Sequence, residues 1–308
     1  MKVRFWGVRG SIPSPGDHTR RYGGNTACIE LRVNGRLIIL DAGSGIRALG
    51  NSLMTTDLPH GPINADIFLT HTHWDHIMGF PFFTPIYIPG CVLRVHGPVT
   101  SEDDPLEDVV GGQMTYRYFP INMGELASTV TYERLQENPG IDLGEGLKLR
   151  TRMLNHPVTA LAYRFEFEGL TFCTCYDTEP WRNLFVLNSD DPNWDEAMAE
   201  EGSLVAEEMN ASLEEFYAGA DLLVYDAQYT EEEYSSQRMD WGHSSMEYAI
   251  KAAARGKVKK LALFHHDPDR SDDDLDAFAK HYCVPREDGM EVFFAREGME
   301  INLGKEGS

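Results

Sequence analysis

Short apolar runs bounded by turn residues recur along this chain, and that spacing predicts strands. The early ones are Val3–Trp6, Cys28–Val33 and Arg36–Leu40. Asn34-Gly35 separates the last two and is a strong hairpin signal. The run LIILDAGSG then leads into a helical stretch, Ser44–Leu53, and ADIFLTHTH reads as a buried strand ending in polar residues. The second half repeats the scheme. LTFCTCYDT is a strand ending at Asp177, ADLLVYDAQ one ending at Asp226, and KKLALFHHD one ending at His265. Before the last, Met246, Ala249, Ile250 and Ala253 fall at i, i+3, i+4 and i+7, which predicts a helix. Each half thus carries strand–Asp, helix, strand–His: Asp41 to His71, then Asp226 to His265. The expected architecture is α/β: one domain over 1–308 made of two similar halves whose sheets face each other. In such sheets ligands sit beyond the carboxyl ends of the strands.

Two acidic runs interrupt the pattern. One, around 180–215, reads as a solvated insertion that is helical in part. The other, RSDDDLDAF, opens a helix with Ser271 as its N-cap. Apolar residues make up 42% of the chain, enough for a large core. The net charge is −22, from 49 acidic and 27 basic residues. Such a surface repels polyanions at long range, so DNA is not expected as a partner and tRNA reads as a poor one. The cysteines number five, with no C-x-x-C pair, which argues against a disulfide framework and for a reducing cytoplasm. Cys173 and Cys175 alternate along one strand and read as packing residues. MKVRFWGVRG is not a signal segment, and no run of about 18 apolar residues suggests a membrane span.

The chemistry is concentrated in LTHTHWDHIMG, which holds three histidines and an aspartate within six residues. Neutral imidazole and carboxylate suit zinc, manganese or iron. His71, His73, Asp75 and His76 point in too many directions for one ion, and two adjacent ions need further ligands. His156, Asp177 and His265 are the candidates, each at or after a strand-like run. His266 is the alternative to His265.

This pattern, H-x-H-x-D-H after an apolar strand and then a later His, Asp and His, resembles the metallo-β-lactamase superfamily over essentially the whole chain. The resemblance implies a four-layer αβ/βα sandwich and a dinuclear centre holding two divalent metal ions, zinc first, with manganese or iron as alternatives. His71, His73 and His156 would hold one ion, Asp75, His76 and His265 the other, and Asp177 would bridge. Asp41 would orient the ligands from behind. The middle ligand is His73, not the glutamate of the related di-iron flavoproteins, which favours hydrolysis over redox chemistry.

Superfamily membership does not fix the substrate. Asp226 followed by Gly242-His243-Ser244-Ser245 resembles the ribonuclease Z branch, which holds tRNA 3′-processing ribonucleases and small phosphodiesterases. Ser244 and Glu247 read as a capping box, placing His243 just before a helix N-terminus, where anions bind well. The expected reaction is attack of hydroxide, generated at the two-metal centre, on phosphorus. Asp75 or Asp177 helps place the water, and His243, oriented by Asp226, protonates the leaving oxygen. WGVRGSIPSPG and RRYGGNTAC resemble the opening of small bacterial members of the branch. They offer Arg9, Arg20 or Arg21, Ser11, Asn25 and Thr26 as phosphate or ligand contacts, with His266 as a further substrate contact. The tRNA enzymes carry a basic arm that is not visible here. A small phosphodiester such as a cyclic nucleotide is therefore the expected substrate, ahead of tRNA. The branch also suggests a homodimer. A lactamase or thioesterase, and a nucleotide sensor without turnover, are the competing readings.

Overall fold

The computed structural model describes residues 1–100, 103–185, 189–191 and 193–304. Among them, β1 (Lys2–Gly7), β2 (Cys28–Val33) and β3 (Arg36–Leu40) form an antiparallel meander. β4 (Asn64–Phe68), β5 (Val92–Pro98) and β6 (Thr129–Leu135) extend it in parallel. The second sheet begins with the antiparallel strands β7 (Asn138–Gly144), β8 (Leu147–Met153), β9 (Leu161–Phe167) and β10 (Leu170–Cys175). It continues in parallel through β11 (Leu222–Asp226), β12 (Lys260–Phe264) and β13 (Glu291–Phe294). Finally β14 (Glu300–Asn302) returns to the first sheet beside β1, giving seven strands in each.

Alternation within the strands creates the layers. Leu222 and Val224 of β11 face Phe5, Leu31, Ile38 and Phe68 across the space between the sheets. Leu223 and Tyr225, one residue out of phase, face outward onto Leu213, Phe216, Ala249 and Ala253 of the covering helices Glu196–Phe216 and Met246–Arg255. Cys173 and Cys175 share this outer face, and burial pushes the Cys173 thiol up to about 12. All five cysteines are free. The helix Ile46–Thr56 covers the first sheet in the same way through Ile46, Leu49 and Leu53. The order is helices, sheet, sheet, helices: the four-layer αβ/βα sandwich that the sequence predicts.

The halves correspond differently from the expected pairing. Antiparallel pairing ends and parallel pairing begins at β3 in one sheet and at β10 in the other. The counterpart of Asp41 is therefore Asp177, not Asp226. Asp177 and Asp226 both end apolar runs, and the run alone does not reveal which strand closes a meander. The helix Glu196–Phe216 makes the crossover from β10 to β11. It overlaps the acidic stretch around 180–215, part of which falls outside the described residues. No helix among those described is long and apolar enough to cross a membrane. Ser271 caps the helix Asp272–Tyr282 as expected, its hydroxyl accepting from Asp274 N.

Candidate metal centre

The carboxyl ends of β3, β4, β10, β11 and β12 converge at one edge of the sandwich. Asp41, Asp177 and His265 follow the last residue of β3, β10 and β12 closely, and Asp226 is the last residue of β11. His71 follows β4, and His73 precedes the short helix Trp74–Ile77 that carries Asp75 and His76. His156 lies in the turn between β8 and β9. His71, His73, His156 and Asp177 bring one ligand atom each within 4.8 Å of one another, and so do Asp75, His76, Asp177 and His265. The structure thus assembles all seven expected ligands into two groups sharing Asp177.

The rings are held from behind. Nδ1–H of His76 donates to Asp41 Oδ2 at 2.8 Å, and Nδ1–H of His156 to the Gly242 carbonyl at 3.0 Å. His265 Nδ1 meets Gln228 Oε1 at 3.1 Å, and His71 Nδ1 meets the Thr70 hydroxyl at 3.1 Å. That hydroxyl in turn donates to Asp41 Oδ2 at 2.8 Å. A carbonyl or carboxylate only accepts, so the proton sits on Nδ1 and the Nε2 lone pair turns inward. The inner atoms crowd without ordinary partners. His156 Nε2 lies 3.1 Å from His73 Nδ1, and His76 Nε2 lies 3.4 Å from His265 Nε2. Buried His71 Nε2 and Asp177 Oδ1 make no hydrogen bond. Asp41, Asp75, Asp177 and Asp226 add buried carboxylates. Facing lone pairs and unneutralised carboxylates are the donor set that divalent cations satisfy.

The acid–base balance follows the same logic. Burial drives His71 well below the ordinary range and His156 down to about 4, so both favour the neutral, ligating form. Burial also disfavours charge on His76, but Asp177, Asp75 and Asp41 outweigh it and raise His76 well above the ordinary value. Asp177 is held low despite burial, chiefly by His265 and His76. In the metal-free protein a proton thus supplies part of the positive charge the carboxylates demand.

The backbone is strained where it delivers these groups. Asp41, Asp177 and His265 have φ of 60°, 25° and 62°, and Ser11 has 64°. Such values are costly outside glycine and cluster at functional sites. Two glycines permit close approach. A Cβ on Gly10 would stand 2.4 Å from the His265 ring, and one on Gly242 (φ 79°) would stand 2.3 Å from His156 Nδ1.

His243 stacks on His265 with ring centroids 4.9 Å apart, and its Nδ1 meets Asp226 Oδ2 at 2.8 Å. Burial opposes its protonation, yet Asp226 prevails and raises it to about 9. The expected cap is displaced by one residue. Ser245, not Ser244, accepts from Tyr248 N and starts the helix Met246–Arg255. Ser244 is buried and spends its hydroxyl on the Thr178 carbonyl. His243 therefore stands two residues before the cap, and its orientation comes from Asp226.

The expected substrate contacts divide. Ser11 lies at the cluster, its N–H donating to Asp75 Oδ2 at 2.7 Å. Arg9 does not: its guanidinium is buried and donates to the carbonyls of Gly23, Asp267 and Arg270. Arg20 pairs with Asp17, and Arg21 with Asp273 and Asp276. Asn25 donates to Glu297 and accepts from Ser44, and buried Thr26 accepts from Ser44 N. His266 points away from the ligands, to the Ala295 carbonyl at 2.8 Å, and burial lowers it to about 3. Adjacent residues leaving a strand face opposite ways, so His265 and His266 cannot both face the cluster. Thr70 and Gln228 were not anticipated, although each stands within two residues of a recognised Asp or His.

A protein named ribonuclease Z from Nitrosopumilus maritimus is 24% identical over 328 residues, spanning 98% of this chain and all of its own length. Human tRNase Z, short form, superposes with a TM-score of 0.61 at 18% identity, over 99% of this chain and 100% of its own. A diphosphatase of the PhnP family superposes with a TM-score of 0.63 at 17% identity, over 98% and 97%. The chain has the metallo-β-lactamase fold and is similar over nearly its whole length to proteins named ribonuclease Z. No family model matches it. The expectation that tRNA is a poor partner is overturned, because relatives named ribonuclease Z align across nearly the full length of this chain. Net charge misled because surface potentials are screened within about 8 Å at physiological salt, so the field at the site, not the sum over the surface, meets the substrate.

Proposed function

We propose that this protein hydrolyses phosphodiesters at a two-cation centre, with the 3′ region of precursor tRNA as its leading substrate. The His243–Asp226 pair stacked against His265 carries the reading, since it places a proton donor beside the ligand cluster, where a departing alkoxide needs one. The ribonuclease Z name of its relatives supports RNA over a cyclic nucleotide. His71, His73, His156 and Asp177 would hold one cation, and Asp75, His76, Asp177 and His265 the other; zinc, manganese and iron all suit the set. Bound divalent cations supply Lewis acidity toward the phosphoryl oxygens and activate water.

The chain's own residues do the rest. Asp41, Thr70, Gln228 and the Gly242 carbonyl hold the ligand rings in the ligating tautomer. Ser11 N–H steadies Asp75. Asp226 keeps Nδ1 of His243 occupied, so its other nitrogen, Nε2, delivers a proton to the departing alkoxide. Divalent charge next to His243 opposes its protonation, and the incoming phosphate anion restores it. The test compares His243→Ala with wild type on bis(p-nitrophenyl) phosphate and on a precursor tRNA, with cyclic mononucleotides and dinucleotides as further substrates. The variant should keep its metal and lose about 10²–10⁴-fold on RNA, whose leaving group needs the proton, but far less on the nitrophenyl ester. Equal RNA rates would remove His243 from the mechanism. Failure of wild type to cleave any phosphodiester with Mn²⁺ or Zn²⁺ would end the reading.

A further inference from the structure

Trp74 stands between His73 and Asp75, yet 76% of it is exposed. Successive helical side chains project about 100° apart. In Trp74–Ile77, Asp75 and His76 turn toward the ligand cluster and are buried, while the indole turns out. It does not face empty solvent. Thr72, Trp74, Ile77, Met78, Gln113 and Tyr118 line an open, largely apolar cleft of about 520 Å³. Tyr118 is 74% exposed. Thr72 and Trp74 alternate with His71, His73 and Asp75, so the cleft adjoins the segment that supplies the ligands. Nothing in the proposed mechanism uses it.

We propose that this cleft is a stacking shelf for a nucleobase next to the scissile phosphodiester, with Trp74 as its floor and Tyr118 beside it. The inference rests on the phosphodiesterase reading and adds to it a substrate contact that determines preference. Every base presents a π-face to an aromatic side chain, so such a shelf grips nucleotides without reading sequence. A stacked base is uncharged. None of the residues lining the cleft carries a charge, which suits an uncharged base rather than a phosphate. An aromatic shelf continuous with the metal-binding segment supplies what a basic arm supplies elsewhere: a hold on the substrate outside the reacting group.

Two esters with one leaving group isolate the base: thymidine 5′-(p-nitrophenyl phosphate) and methyl p-nitrophenyl phosphate. Wild type should prefer the thymidine ester in kcat/KM, and Trp74→Ala should cut that preference by about tenfold or more, while Trp74→Phe restores most of it. An unchanged preference in Trp74→Ala overturns the shelf. So does an equal loss on both esters, which would mean that the indole only supports the metal-binding loop. A second measurement does not need turnover. Calorimetric titration of the metal-loaded protein with thymidine 5′-monophosphate and with inorganic phosphate should show a nucleotide advantage that Trp74→Ala removes. If the esters are not hydrolysed but this advantage is present, the phosphodiesterase reading fails and the shelf stands. If the advantage is absent, the shelf fails.

Discussion

Replacing Asp41 by Asn tests how the centre is held. Asp41 is fully buried and accepts three hydrogen bonds: from Thr70 N at 2.7 Å, the Thr70 hydroxyl at 2.8 Å and His76 Nδ1 at 2.8 Å. Asn fits the space but has one acceptor oxygen. If that oxygen keeps Thr70 N, the amide nitrogen faces His76 Nδ1, donor against donor. His76 relieves this by moving its proton to Nε2, which lies 3.2–3.4 Å from Asp177, Asp75 and His265. A ring protonated on its inner nitrogen is no ligand. Changes behind metal-bound histidines typically cost about 10–100-fold in affinity, or about 1.4–2.8 kcal/mol. Competition against a chromophoric chelator should show this loss for one cation equivalent, the one near His76, with the other affected less. Folding stability should fall by roughly 1–3 kcal/mol, because buried donors lose a charged acceptor. Binding of both equivalents at wild-type affinity would refute the tautomer argument.

Three further outcomes follow from the same geometry. Gly242→Ala would force a Cβ to within 2.3 Å of His156 Nδ1 and 2.5 Å of Pro157 Cδ at φ 79°. Thermal unfolding should register a loss of about 1–3 kcal/mol, and metal retained after dialysis should drop; full retention would mean that the loop yields without moving His156. Because His76 holds its proton well above the ordinary histidine range, cation binding must displace it. Affinity should therefore rise with pH through neutrality, and calorimetry in buffers of different ionisation heat should detect release of about one proton per protein. Asp66 shows the opposite sign: burial raises its carboxyl, but His96, Arg94 and Arg36 hold it far below the ordinary range. Its contribution is complete above the unfolded value of about 3.9 and fades as pH falls. Asp66→Asn should cost roughly 1–3 kcal/mol in urea unfolding at pH 7, and the gap to wild type should narrow in acid.

Much of the site was legible because its residues sit where strands end, and strand ends are visible as apolar runs stopping at polar residues. His71, His73, Asp75 and His76 also lie within one segment, so their joint purpose shows without any tertiary knowledge. His156, Asp177 and His265 needed the expectation that two facing sheets bring distant strand ends together, and the sandwich does so. What failed depends on direction rather than position. Arg9, Asn25, Thr26 and His266 lie near the centre in sequence terms, but their side chains turn into buried hydrogen bonds with Gly23, Glu297, Ser44 and Ala295. The cap fell on Ser245 because Ser244 found a buried carbonyl, a choice that spacing cannot express. Strands β5, β6, β7, β9, β13 and β14 were not foreseen; charged positions dilute the apolar alternation in β6, and Asn, Pro and Gly interrupt it in β7.

Asp41, His71, His73, Asp75 and His76 belong to the first sheet and its loops, and His156, Asp177, Asp226, His243 and His265 to the second. Neither half owns a complete set of donors, so a chain with only one half folded cannot complete either cluster. Catalytic competence thereby becomes a certificate of assembly. A nascent or partly unfolded molecule lacks a complete cluster, and cations bound to the assembled one would rivet the two sheets together, coupling metal supply to the mechanical integrity of the protein.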